Sequence, residues 1–186
     1  MRLLFRLAAA LAGMALLGGC QSLSGPVKPG ESTQIPVGSV LVLHKRLVVT
    51  SSHDRIRFYR GAIAEDKDFL LTKKYEPNCR LVMHRDLSEY NHVITPGRFD
   101  VYAVKQFDDY EILGPRIVAS NGPLLADDGG ILPQEFATVL YLRSTEQPQV
   151  DRLVCGHYQY STDGRFLTIN QIRAALGDIF TLQLAH

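Results

Sequence analysis

Residues 136–158 read FATVLYLRSTEQPQVDRLVCGHY. Phe136 to Leu142 is apolar on both alternating faces apart from Thr138, the pattern of a strand covered on both sides. The polar interval Arg143 to Gln149 separates it from Val150 to Tyr158, where Leu153, Cys155 and His157 alternate with Arg152, Val154 and Gly156. Two adjacent strands at the centre of a sheet follow. Working outward, period two persists. Val40 to Leu43 and Leu47 to Val49 are apolar or β-branched, Thr50 to Asp54 has turn composition, and Arg55 to Tyr59 alternates, which predicts a hairpin with one wet face. Thr95-Pro96-Gly97-Arg98 fits a type II turn joining His92–Ile94 to Phe99–Val104, a second predicted hairpin. The Gly- and Pro-rich stretch Gly114 to Pro133 reads as a long loop. Near the end the period changes: Thr168-Ile169-Asn170-Gln171 is a capping box, Ile169, Ile172 and Leu176 share a helical face, and Gly177 stops the helix. Phe180, Leu182 and Leu184 then alternate with Thr181 and Gln183 as a final strand. The expected fold is mainly β, an antiparallel sandwich or barrel with one short C-terminal helix before the last strand.

The 186 residues are 46% hydrophobic and 21% charged, the composition of a globular chain with a single domain. The formal charge is +1. Without a basic excess there is no counterion-release energy to drive nucleic-acid binding.

The N-terminus reads as a targeting segment. Arg2 and Arg6 precede an apolar stretch from Leu7 to Leu17 that is too short for the ~20 residues of a bilayer span. Leu17-Gly18-Gly19-Cys20 looks like a lipobox, so residues 1–19 are expected to be a cleaved signal peptide and Cys20 the acylated (palmitate-bearing) residue that holds the protein to the membrane. Several acyl chains are needed because a single one binds only marginally. Gln21, not Asp, follows the cysteine, which favours the outer membrane and its periplasmic side. Residues 20–38 are expected to be the lipidated Cys and a flexible tether, rich in Gly, Pro and Ser and with a reach of roughly 23 Å. A single β-rich periplasmic domain is expected over 39–186.

Cys79 and Cys155 remain, an even pair in an oxidising compartment. A disulfide is the first reading; two free buried thiols or a metal pair is the rival one. Bridging them would remove on the order of 4.5 kcal/mol of unfolded-state entropy in the chain model. There is no CxxC.

Leu140-Tyr-Leu-Arg-Ser144, Gln147-Pro-Gln-Val150, Leu153-Val-Cys155 and Ile172-Arg-Ala-Ala-Leu-Gly-Asp178 together resemble a family of proteobacterial lipoproteins. Gly38-Ser-Val-Leu41 and Tyr75-Glu-Pro-Asn-Cys79 share the resemblance, which spans most of the mature chain and is most specific in its C-terminal third. It implies a secreted, lipid-anchored domain with a Cys79–Cys155 bridge, and no activity.

Phosphate-cradling loops, nucleophile elbows, HExxH and EF-hand patterns are absent from the sequence. His84 with Asp86, and His53 with Asp54, are the close His–acid companions, but two ligands make no metal site. His157 shares a face with Cys155 and reads as a hydrogen-bonded, partly buried histidine. Asp127-Asp128 and Asp108-Asp109 supply too few of the roughly six to eight oxygens calcium takes. Arg55, Arg57 and Tyr59 project from one strand face, with Arg60 nearby, and could touch lipid phosphate or an anionic polymer; Asp54, Glu65 and Asp66 offset them. No metal or cofactor is expected. The reading is a non-enzymatic interaction or structural module facing the periplasm, with the membrane through acylated Cys20 and an envelope protein as partners. The alternative is a small apolar-ligand carrier with a lipocalin-like barrel.

Overall fold

The structure is a computed structural model that describes residues 30–50, 55–65, 69, 73–84, 91–110, 133–160 and 164–185. The expected signal peptide, Cys20, tether residues 21–29 and the loop expected over 114–133 (save Pro133) lie outside these residues.

Among the described residues the chain is mainly β, with a short helix near the C-terminus. Strands β1 (Val40–Leu43), β3 (Arg55–Tyr59), β4 (Ala62–Ala64), β5 (Asn78–Met83), β7 (Gly97–Tyr110), β8 (Gln134–Arg143), β9 (Val150–Gln159) and β10 (Phe180–Gln183) form one antiparallel sheet. Its order is β10-β1-β7-β8-β9-β5-β3-β4, while β2 (Leu47–Val49) and β6 (His92–Ile94) pair separately. Helix α1 (Ile169–Leu176) precedes β10. As residues 136–158 predict, β8 and β9 are adjacent and central, with Phe136 to Leu140 buried on both faces.

Alternation decides what each strand buries. Leu81, Leu140, Leu142, Leu153 and Cys155 point to one side and join Phe58, Phe99 and the apolar face of α1 in a single core. The rings of Phe58 on β3 and Phe180 on β10 meet edge to face with centroids 5.3 Å apart, although these strands stand seventh and first in the sheet. The sheet therefore curls around that core into a half-barrel, and the core face is the concave one. Leu47, Val49 and Ile94 of the two-stranded sheet belong to the same core, and their neighbours Val48 and Val93 face outward.

Both predicted hairpins are corrected by this topology. β2 pairs with β6, not with Arg55–Tyr59, which lies between β4 and β5. Likewise β6 does not fold back on β7, whose neighbours are β1 and β8. Gly97 lacks the positive φ that a type II turn needs and instead opens β7. The long-range partner that decides the matter is the buried side-chain amide of Gln147. It accepts from the Thr95 amide at 2.8 Å and donates to the Thr95 carbonyl at 2.9 Å, tying this junction to the β8–β9 connection.

The tether expectation also shortens. Ile35 is buried in the core, and the carbonyls of Gly30 and Ser32 accept from the first-turn amides of Asn170 and Ile169 at 2.9 Å each. With Thr168 capping Gln171 in the predicted box, the exposed amides at the helix start find partners. The described chain is thus packed on the domain from Gly30 onward, because these residues complete the helix start.

Gly177 ends the helix at φ 58°, and a Cβ placed on it would lie 2.4 Å from the Gly61 Cα. Gly61 sits with Arg60 in the two-residue β3–β4 turn, both at positive φ, and its amide donates to the Ala175 carbonyl at 3.0 Å. The turn and the helix end are thereby pressed together backbone to backbone. Gly177→Ala is expected to destabilise the fold by about 1–3 kcal/mol, through both backbone strain and this contact, as measured by denaturant unfolding.

Cys79 and Cys155 are bridged. They stand directly opposite in the β5–β9 register, with Cα atoms 4.0 Å apart and both side chains in the core. Replacing both by Ala is expected to cost about 2–5 kcal/mol in urea or guanidinium unfolding. Equal stability of the variant and the oxidised protein would show that the bridge does not constrain the fold.

Candidate functional site

The convex face of the sheet is built in lateral rows set by strand register. One row runs Arg55, Val82, Arg152, Tyr141 across β3, β5, β9 and β8. The next runs Arg57, Arg80, Val154, Val139, Lys105 and reaches β7. A third runs Tyr59, Asn78, Gly156, Ala137, Phe107. Val82, Ala137, Val139 and Val154 form a small buried apolar cluster on this face, against which Phe107 and Tyr141 pack. Around it lies a recess of about 560 Å³ whose lining includes Arg55, Arg80, Lys105 and Arg152. Among the described residues no carboxylate lines it.

Arg80 and Arg152 have carboxylate partners just outside. Arg80 makes a bidentate pair with Glu135, at 2.5 and 3.3 Å, with both side chains mostly shielded from solvent. Arg152 bonds Asp151, the extra residue of a bulge where β9 passes β5. Lys105 has no carboxylate partner among the described residues and lies 5.6 Å over the Tyr141 ring. The cations around the apolar floor are thus mostly engaged by partners of their own, and Arg55 and Lys105 are exposed to solvent.

The residues singled out in the sequence are placed as follows. Arg55, Arg57 and Tyr59 share the convex face as predicted, but only Arg55 reaches the recess. Arg57 is buried beneath Phe69, 4.5 Å from its ring, and donates to Asn78 Oδ1 at 2.8 Å. Tyr59 and Arg60 turn to Glu76, each donating to it at 2.6 Å. Those two hydrogen bonds, Tyr59 first, hold the Glu76 carboxyl below the usual range, and the Glu76 bond pushes the Tyr59 phenol up. His84 is exposed, with Nδ1 4.0 Å from Asp151. Asp108 accepts from Gln134 at 3.1 Å. Asp86, His53, Asp54, Asp127 and Asp128 lie outside the described residues, as does Asp66, and the side chain of Asp109 is not described. No group of three or more His, Cys, Asp or Glu suited to a metal occurs among the described residues. No helix among them is long and apolar enough to cross a membrane.

The concave side is occupied. Helix α1 and the side chains of the core pack against it. What sequence reasoning missed is the recess. Its outward positions on β5 and β9 were legible from alternation, but their assembly with Lys105 depends on strand order.

His157 is buried, and its Nε2 lies 2.9 Å from the Arg165 carbonyl, which only accepts, so Nε2 carries the proton. Burial depresses its pKa, partly opposed by that hydrogen bond. The unfolded chain then binds more protons than the folded one in the window between the depressed value and the ordinary one of about 6.5, so stability is full above that window and falls as pH drops through it. His157→Gln is expected to flatten this dependence when unfolding is measured from about pH 5 to 8; an unchanged slope would assign it to other groups.

No family model, curated protein or solved structure matches the chain.

Proposed function

We propose that this protein is a lipid-anchored module of the bacterial envelope, held to the outer membrane through acylated Cys20 and facing the periplasm, that acts by binding rather than by catalysis. The observation that carries the binding role is the convex face, where cations from four strands ring a recess while α1 and the core pack on the concave face. The anchor rests on the sequence: a basic, then apolar, leader ending in Leu17-Gly-Gly-Cys20. The Cys79–Cys155 bridge is consistent with export, because such bonds persist in oxidising compartments. Membership of the proteobacterial lipoprotein family that the chain resembles is part of the same reading. A lipocalin-like carrier, the alternative reading, would need an open interior, and the packing of α1 against β3, β5 and β10 favours the binding-module reading over it.

In this reading the tether is short. With residues from Gly30 onward packed on the domain, nine residues (21–29) separate it from Cys20, with a root-mean-square reach of roughly 17 Å. The domain therefore works close to the headgroups.

Metabolic labelling with palmitate and membrane fractionation test the anchor. Wild-type protein is expected to incorporate label and sediment with outer membranes, and Cys20→Ser to lose the label and leave that fraction. Label retained by Cys20→Ser would overturn the assignment.

A further inference from the structure

The chain leading from Cys20 enters the domain at an end that also carries stacked tyrosines. We infer that this end rests on the lipid bilayer, with Tyr160 and the tyrosines beside it as the contact with the headgroup layer. The inference rests on the anchor reading above and adds the surface through which the domain meets its own membrane.

Strand register fixes which end this is. Tyr110 of β7 pairs with Gln134 of β8, and Gln134 with Gln159 of β9, so these residues close one end of the sheet. Lys74 and Tyr75 stand beside them, because the Lys74 carbonyl accepts from the Tyr158 amide at 3.0 Å. The chain entering α1 is held at the same end. The Arg165 amide donates to the Gln159 side chain at 3.0 Å, and the Arg165 carbonyl accepts from His157 at 2.9 Å. Five residues further on, the Asn170 amide donates to the Gly30 carbonyl, and the nearby Thr33 carbonyl accepts from the side chain of Gln106 on β7. The nine residues between Cys20 and Gly30 therefore join the domain at this end. The β2–β6 pair lies at the other, where β6 leads into Gly97. From Gln106 to Gly97 β7 runs nine residues, about 30 Å, which exceeds the tether's root-mean-square reach of roughly 17 Å.

What stands at the tether end suits a membrane interface. Tyr75 and Tyr160 stack with ring centroids 5.3 Å apart and hydroxyl oxygens 2.6 Å apart. Each hydroxyl has the other as a partner, which lowers the cost of taking the pair out of bulk water. The Lys74 ammonium lies 5.5 Å over the Tyr75 ring and 5.0 Å over that of Tyr158. Tyr75, Tyr158 and Lys74 are half-buried and held within the protein, whereas Tyr160 is 57% exposed. A tyrosine ring has an apolar body and a polar tip, and settles where acyl chains give way to headgroups. Lysine methylenes cover apolar surface there while the charge stays in the headgroup layer. Both signs of charge occur at this end, Lys74 and Arg165 with Glu31 and Asp108, so the rings and not a net charge carry the contact.

A patch this small would not bring a free protein to a membrane. Tethering changes the balance. A short flexible linker holds the end at an effective concentration in the millimolar range, so a contact with a dissociation constant of about 1 mM is populated about half of the time. Anchor and aromatic surface therefore act together because they share one end of the domain.

The sequence contains no Trp, so a single introduced one reports its own surroundings. Full-length protein extracted from its host membranes is reconstituted in phosphatidylcholine vesicles, with and without bromine on the acyl chains, and flotation of each sample records attachment. Arg165→Trp, exposed at the tether end, is expected to be quenched by brominated lipid about twofold more than Val48→Trp, exposed on β2 at the far end. Tyr160→Trp should be quenched likewise, with its emission shifted to the blue. Adding Tyr160→Ser to Arg165→Trp should bring quenching down toward the Val48→Trp level, because only the tether then holds the end near the lipid. Flotation without greater quenching at positions 160 and 165 than at 48 would overturn the proposal, as would quenching of Arg165→Trp that Tyr160→Ser leaves unchanged. An unquenched Tyr160→Trp whose emission responds instead to N-acetylglucosamine oligomers would overturn it in favour of a glycan site. Failure to float would overturn the anchor, and the contact with it, whereas flotation without quenching overturns the contact alone.

Discussion

Register in the centre of the sheet is the constraint from which the remaining features follow. β9 lies between β8 and β5, with Cys155 opposite Thr138 on one side and opposite Cys79 on the other. A slip of one residue along either neighbour would send Leu153 outward and bring Arg152 against the core, burying a guanidinium without its carboxylate. The disulfide makes that slip impossible between β5 and β9 while it is intact. Gly156 contributes from the other side: a Cβ there would meet the Phe136 carbonyl oxygen at 2.6 Å, so only a glycine allows β8 and β9 to keep this approach. With three strands fixed, the inward set (Leu81, Leu140, Leu153) and the outward set (Arg80, Val139, Val154) are fixed together.

The curl of the sheet then assigns the two faces to different tasks. Phe58 and Phe180 can meet only if strands far apart in the sheet bend toward each other, and the space they enclose is taken by α1. The helix is held at its start by the chain before β1 and at its end by the β3–β4 turn. Short terminal strands, three residues in β4 and four in β10, limit the unpaired backbone left at the sheet edges. Concave packing of this kind leaves the convex face as the surface on which a recess with charge and apolar floor is retained.

That face also shows why a polar sheet surface is more than a solubility device here. The Arg80–Glu135 pair is largely removed from solvent, and Arg57 is covered by Phe69, so cations on this face are held in place rather than swept freely through water. Holding them costs side-chain entropy and desolvation, which the hydrogen bonds to Glu135 and Asn78 offset in part.

Local pattern carried much of this in the sequence. The central pair of strands, the alternation of Cys79 and Cys155 with their neighbours, the capping box at Thr168, the stop at Gly177 and the final strand were legible because each depends on residues within a few positions of one another. The anchor reading at Cys20 is likewise a local pattern. Strand partnership was not legible: Leu47–Val49 and His92–Ile94 looked like arms of separate hairpins, and their pairing with each other is decided by a core that draws from the whole chain. Nor was the reach of the packed chain back to Gly30, since its reason is the needs of a helix start some 140 residues away. The sequence by itself determined which residues point together along each strand. Only the tertiary structure decided which strands are neighbours, and therefore that Arg55, Arg80, Arg152 and Lys105 share one recess, because lateral contacts are set by burial of the common core and not by spacing along the chain.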